Sequence, residues 1–273
     1  MRKAFQFAIT MLVCVSALVL TGCKDTAALK AAVEEASKSC PLSLDNLGEA
    51  TSIAFGDKSI DFNLKPLQAL VECDKIDKSL IARYLALELQ RKNPELVKLM
   101  VDGEFGIKCN LEGDEEPILV EAKDLKKFSS EFLTAGGKVA PILLPLFNQQ
   151  LSAKFPLEIG EGLSIHKVKV VDGVETFFVN VDESKVKFDT VREKIVNIAR
   201  KVENAKEIKK ELVEEKVKFA NVNLSLLLPL LNELNYGAMF RYANKTGSET
   251  YMEITAEEIE KYLAPAEEEQ KEG

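Results

Sequence analysis

The side chains able to do chemistry are few, and their spacing selects no reaction. His166 is the single histidine in 273 residues, which excludes a multi-histidine metal centre and leaves one imidazole as a candidate base. It falls in a predicted strand, Leu163 to Val171, where an exposed or hydrogen-bonded structural histidine is the favoured reading. Ser-His or Cys-His catalysis would need partners that sequence spacing does not identify. Asp114-Glu115-Glu116 could take a divalent cation, but between two predicted strands it reads first as a solvated hairpin tip. The chain has 44 acidic residues, so paired carboxylates for glycoside hydrolysis stay open, yet nothing selects a pair. No nucleophile elbow, phosphate-binding loop, H-E-x-x-H helix, EF-hand loop or dinucleotide fingerprint occurs. No catalytic residue, metal ligand or cofactor is assigned.

One cysteine stands apart by its context. Arg2 and Lys3 form a basic start, Ala4 through Leu20 carry no charge, and the run ends at Leu20-Thr21-Gly22-Cys23 before Lys24-Asp25. A basic n-region, an apolar h-region and small residues before a cut are the parts of a secretory leader. An uncleaved membrane helix is the alternative, but spanning needs about 20 apolar residues. Leu20-Thr21-Gly22-Cys23 resembles the lipobox of bacterial lipoproteins. That resemblance implies a diacylglyceryl group on the Cys23 thiol, cleavage between Gly22 and Cys23, and acylation of the new amine. Cys14 lies in the removed leader. Cys40, Cys73 and Cys109 match no zinc spacing; they permit one disulfide in an oxidising envelope, or serve as small buried hydrophobes.

Composition narrows the partners. A 46% hydrophobic content with 29% charged residues is that of a globular chain, not a disordered one. The formal charge is −8, and −10 once Arg2 and Lys3 leave with the signal. Nucleic-acid binding needs a basic footprint to release phosphate counterions, and none is visible in the sequence. Adhesion to an anionic bilayer by charge is likewise disfavoured, so the lipid on Cys23 is expected to hold the protein at its membrane.

The elements that must position any site follow the tether at 23–27. Ala28 to Lys38 show helical spacing of Leu29, Ala32, Val33 and Ala36, and Cys40-Pro41 stops the helix. Strands Ser52–Phe55 and Ser59–Leu64 form a hairpin around Gly56-Asp57-Lys58. A helix from Asp77 to Lys92 precedes Asn93-Pro94-Glu95, which reads as a helix cap, a first-turn proline and an acid near the positive helix end. Strands Phe105–Leu111 and Ile118–Val120 and a helix from Lys123 to Phe132 complete the series.

Thr134-Ala135-Gly136-Gly137-Lys138 reads as a linker, and after it the order of elements begins again. Pro41 and Pro156 lie 115 residues apart. At that offset Ile53 and Phe55 fall on Val168 and Val170, and Phe62 and Leu64 on Phe177 and Val179. Strand phase then sets an offset of 131 for the third strand, placing Phe105, Gly106, Ile107, Cys109 and Leu111 on Tyr236, Gly237, Ala238, Phe240 and Tyr242. The last helix fits 134, from Leu125 to Ile259, which leaves three more residues in the second hairpin loop at Asn244 to Ser248. The predicted fold is α+β: a degenerate tandem repeat over 28–135 and 136–263, each copy an antiparallel sheet of two hairpins with helices on one face. The second copy adds a helical region from Lys185 to about Ala220. Its residues Phe188, Val191, Ile195, Ile198 and Val202 suit packing on the copy's own sheet or, alternatively, a coiled coil. Leu224 to Leu234, around Pro229, reads as a buried helix, and 264–273 as an acidic disordered tail.

The series Gly237-Ala238-Met239-Phe240-Arg241-Tyr242, a turn at Gly247 and Glu253-Ile254-Thr255-Ala256-Glu257-Glu258-Ile259 is similar to uncharacterised envelope lipoproteins of Bacteroidota. These motifs are structural and carry no catalytic residue. The expected protein is lipid-anchored in a bacterial envelope, at the outer membrane, on its periplasmic or surface face. Its role is non-enzymatic binding or scaffolding of an unknown protein or small molecule, with no nucleic acid and no cofactor. The alternative is an envelope hydrolase using an unrecognised carboxylate or His166.

Overall fold

The computed structural model describes residues 26–44, 48–66, 78–113, 115–205, 207–221 and 226–264. The chain divides between Ile142 and Leu143 into two compact units. The lipobox Leu20-Thr21-Gly22-Cys23, Cys73, Asp114 and the acidic tail lie outside the described residues.

In the first unit, helix α1 (Thr26–Lys38) leads to strands β1 (Leu42–Ser43), β2 (Gly48–Phe55) and β3 (Ser59–Pro66). Helices α2 (Lys78–Lys92) and α3 (Pro94–Gly103) follow, then β4 (Gly106–Leu111), β5 (Ile118–Val120) and α4 (Ala122–Thr134). Asn93 caps α3 by accepting the Leu96 N–H at 3.1 Å. The sheet order is β1-β2-β3-β4-β5. Alternation decides which side of it is dry: Ile53, Ile60, Phe62, Leu64, Ile107, Cys109, Ile118 and Val120 are buried with Leu29 and Val33 of α1, Met100 of α3 and Leu125 of α4.

In the second unit, helix α5 (Ala140–Ser152) precedes β6 (Leu157–Gly160), β7 (Leu163–Val171) and β8 (Val174–Val181). Helices α6 (Phe188–Asn204), α7 (Lys210–Ala220) and α8 (Leu227–Leu234) lead to β9 (Gly237–Asn244), β10 (Glu249–Ile254) and α9 (Ala256–Leu263). The order is β10-β9-β8-β7-β6. Ile165, Phe177, Val179, Ala238, Phe240, Tyr242, Met252 and Ile254 form its dry side. At the centre Phe177 and Phe240 stack at 4.8 Å with a 9° interplanar angle.

Two expectations are corrected. Neither sheet is wholly antiparallel, because β3 with β4 and β8 with β9 run parallel. The cause was visible: those strands are joined through helices, and a helical crossover returns the chain in the same direction, whereas a tight turn reverses it. Each sheet also has five strands, not four. The additional edge strands β1 and β6 are too short, at 2 and 4 residues, to display an alternating pattern. The predicted helical region after Lys185 is two helices, broken between Asn204 and Lys210. Phe188, Val191, Ile195 and Ile198 are buried, and α6 packs on α7 and β10 of its own unit.

The pairing registers can be set side by side. Phe62 faces Cys109 in the first sheet, and Phe177 faces Phe240 in the second. Cys109 faces Ile118, and Phe240 faces Met252. A bulge falls between Ala50 and Ser52, and another between Ile165 and Lys167. A Cβ on Gly106 would strike the Val120 carbonyl oxygen, and one on Gly237 would lie 3.0 Å from that of Ile254. Both Cys40–Pro41 and Phe155–Pro156 are cis.

Candidate binding face and a buried carboxylate

The bulge in β7 sets the face of every later side chain on that strand. Ile165 is fully buried, so an unbroken strand would also point Lys167 and Lys169 inward. One extra residue, His166, reverses the phase. Lys167 then pairs with Phe178 on the outer face, while Val168 pairs with buried Phe177 on the inner one. Phe178 in turn pairs with Arg241, and Arg241 with Tyr251. The result is a row across four strands, Lys167–Phe178–Arg241–Tyr251, alternating cation and aromatic.

Its geometry is electrostatically specific. Lys167 Nζ lies 5.3 Å, Lys169 Nζ 5.5 Å and the Arg241 guanidinium carbon 5.8 Å from the Phe178 ring centroid. Three cations thus share one aromatic ring, each within cation–π range. Arg241 is also held by Glu249 of β10, with Nη2 donating to Oε1 at 2.8 Å and to Oε2 at 2.6 Å. Lys167 and Lys169 are exposed, and neither is joined to a carboxylate among the described residues. Tyr251 is 58% exposed. Register gathers three cations here, although Glu249 and Glu253 stand on the same face and offset their charge. In the first sheet the row Ser52–Asn63–Asn110 is neutral, with Asn63 Nδ2 donating to Ser52 Oγ at 2.7 Å and Asn110 Nδ2 to Asn63 Oδ1 at 2.9 Å.

His166 is exposed at the bulge, 6.3 Å from the Phe178 ring. No hydrogen bond joins it to a serine, cysteine or carboxylate among the described residues. Glu115 and Glu116 are exposed, and among the described residues no three His, Cys, Asp or Glu side chains gather as a metal site. Cys40 and Cys109 are free thiols. Burial pushes the Cys109 thiol up to about 12, which keeps it protonated and unreactive.

Sequence reading missed Glu175. This residue is fully buried on the inner face of β8, opposite Val170 and Ala238. Helix α5, whose Asn148 is its polar neighbour, carries no charged residue. Removal from water raises the Glu175 pKa to about 7, with Asn148 lowering it in part. Even so, both carboxylate oxygens and Asn148 Oδ1 are buried without a partner of hydrogen-bonding geometry. A signal existed, since the offset that places Phe62 on Phe177 also places Ile60 on Glu175: an acid occupies an apolar position of an alternating strand.

A second buried pair is structural. Lys216 of α7 donates to Glu258 Oε1 at 2.5 Å, to Oε2 at 2.7 Å and to the Glu253 carbonyl at 2.7 Å. Glu258 also closes a capping box with Thr255 at the start of α9. Among the described residues no helix is long and apolar enough to cross a membrane. In comparisons with protein-family models, curated proteins and solved structures, nothing matches this chain.

Proposed function

We propose that this chain is a lipid-anchored, non-enzymatic binding protein of a bacterial envelope, held by acyl groups on Cys23, with the open face of the second sheet as its binding surface. The observation that carries the binding role is the row Lys167–Phe178–Arg241–Tyr251. Tyrosine and arginine are among the side chains that dominate interface energy, and here they are displayed beside Phe178 on a rigid sheet. The anchor rests on the leader ending in Leu20-Thr21-Gly22-Cys23. The same reading takes the two units as copies of one ancestral unit, a degenerate tandem repeat. Its support is the coincidence of both bulges, both parallel registers and both crowded glycines at the sequence offsets. The copies have diverged on their outer faces, from an amide ladder to cations and aromatics.

The alternative, a hydrolase using an acid or His166, has less support. Glu175 has the raised pKa of a general acid, but its carboxyl is sealed from solvent. A photo-crosslinking residue placed at Tyr251 in intact cells should give adducts, while the same residue at exposed Leu119 of the first sheet gives few. Turnover in a broad hydrolase screen that one acid or His166 substitution abolishes would overturn the binding reading.

A further inference from the structure

We infer that the open face of the second sheet pairs with a second copy of itself. This deepens the reading of that face as a binding surface by naming the partner. The argument starts from the distribution of charge across the strands. Lys167 and Lys169 project from β7, whereas Glu253 and Tyr251 project from β10, and all four are exposed. Strands are spaced about 4.8 Å apart, so β7 and β10, separated by two intervening strands, stand about 14 Å from one another. Lys169 therefore has an acid on its own face that it does not reach.

A two-fold axis parallel to the strands, lying over the boundary of β8 and β9, removes that separation. It exchanges left for right and keeps position along the strand, so β7 of one copy lies over β10 of the other, and β8 lies over β9. The rows then determine the contacts. Lys169, Thr176, Met239 and Glu253 share one row, so Lys169 meets the partner's Glu253. Lys167, Phe178, Arg241 and Tyr251 share the next, so Lys167 meets the partner's Tyr251 and Phe178 meets the partner's Arg241. Each contact joins unlike groups and, by symmetry, is made twice, the condition an isologous interface must satisfy. Two twisted sheets packing face to face at about 30° is an established arrangement of sheets. Apart from Phe178, Met239, Tyr251, Ala243 and the strand-end valines Val171 and Val174, the face is polar, so the dimer is a weak one that salt loosens.

In the first unit the row corresponding to Lys167–Tyr251 spends its polar groups on internal hydrogen bonds between Asn110, Asn63 and Ser52. The row corresponding to Lys169–Glu253, Ala54–Asp61–Lys108–Leu119, carries its charges side by side on the two central strands instead of apart on the outer ones.

The test uses the full chain in its native membrane, with a photo-crosslinking residue at Tyr251. A cross-linked species of twice the mass is expected. Lys169→Glu or Glu253→Lys alone should reduce it roughly tenfold, because each reversal places like charges together at two symmetry-related points. Combining the two reversals should restore it, and that recovery also shows that the single variants fold. A dimer band that ignores the reversals, or singles that the double variant does not rescue, overturns the proposal. Adducts to an envelope polymer, a lipid or a different protein, with no species of twice the mass, overturn the dimer and leave the binding face standing. No adduct of any kind removes both.

Discussion

Glu175 shows how one side chain can tie stability to pH. Its folded-state pKa of about 7 stands above the ordinary glutamate value because its carboxylate is stripped of water, which Asn148 offsets only in part. No charged group is carried by α5, and its strand neighbours Val170 and Ala238 are apolar. The folded state thus holds its proton where the unfolded chain has released it. Stability from this group is fully present below about pH 4, is lost as pH rises toward 7, and is level above that; a shift of this size corresponds to on the order of 3 kcal/mol. Urea denaturation of Glu175→Gln should show a flatter stability profile between pH 5 and 8 and a gain over wild type at pH 8. An unchanged profile would mean the carboxylate is solvated. The Lys216–Glu258 pair has the opposite vulnerability. Lys216→Met leaves a buried carboxylate without its cation and should cost about 3–5 kcal/mol, measurable as a lowered denaturation midpoint with unchanged slope. The Lys216–Glu258 pairing was not legible in sequence, because 42 residues separate the two and no local pattern links them.

Elements were more legible than contacts. Period-two alternation of Ile60, Phe62 and Leu64 placed β3, and Asn93-Pro94-Glu95 marked the start of α3, because both signals are local. Asn93→Ala should cost about 1 kcal/mol by freeing the Leu96 N–H, seen as a small drop in midpoint. Gly237→Ala should cost more, since its Cβ would press on the Ile254 carbonyl at 3.0 Å and the strand cannot yield without shifting β9 against β10; an unaltered thermal midpoint would show that the close approach is not required. Pairing direction was harder to read. A hairpin announces itself by its turn, but whether β3 lies beside β4 is decided by how the intervening helices pack.

At the scale of the whole molecule, the proposed anchor and the proposed binding face rest on separate parts of the chain. The chain's formal charge of −8 does not favour unaided adhesion to an anionic membrane, so on the proposed anchor Cys23→Ser should abolish acyl labelling and move the protein from the membrane to the soluble fraction or leave an uncleaved precursor. Retained labelling would refute the anchor. The open sheet face should be indifferent to that change, since its row is set by register within one unit.

The sequence by itself determined the positions of most helices and strands, and it alone carries the grounds for the proposed leader and repeat. These depend on neighbours within a few residues, where periodicity, caps and turns act. Only the tertiary structure decided the parallel centre of each sheet, the sealed position of Glu175 and the gathering of Lys167, Phe178, Arg241 and Tyr251 into one row. Those residues come from four strands, and their side chains meet because backbone hydrogen bonding fixes register across the sheet, a relation that no spacing along the chain encodes.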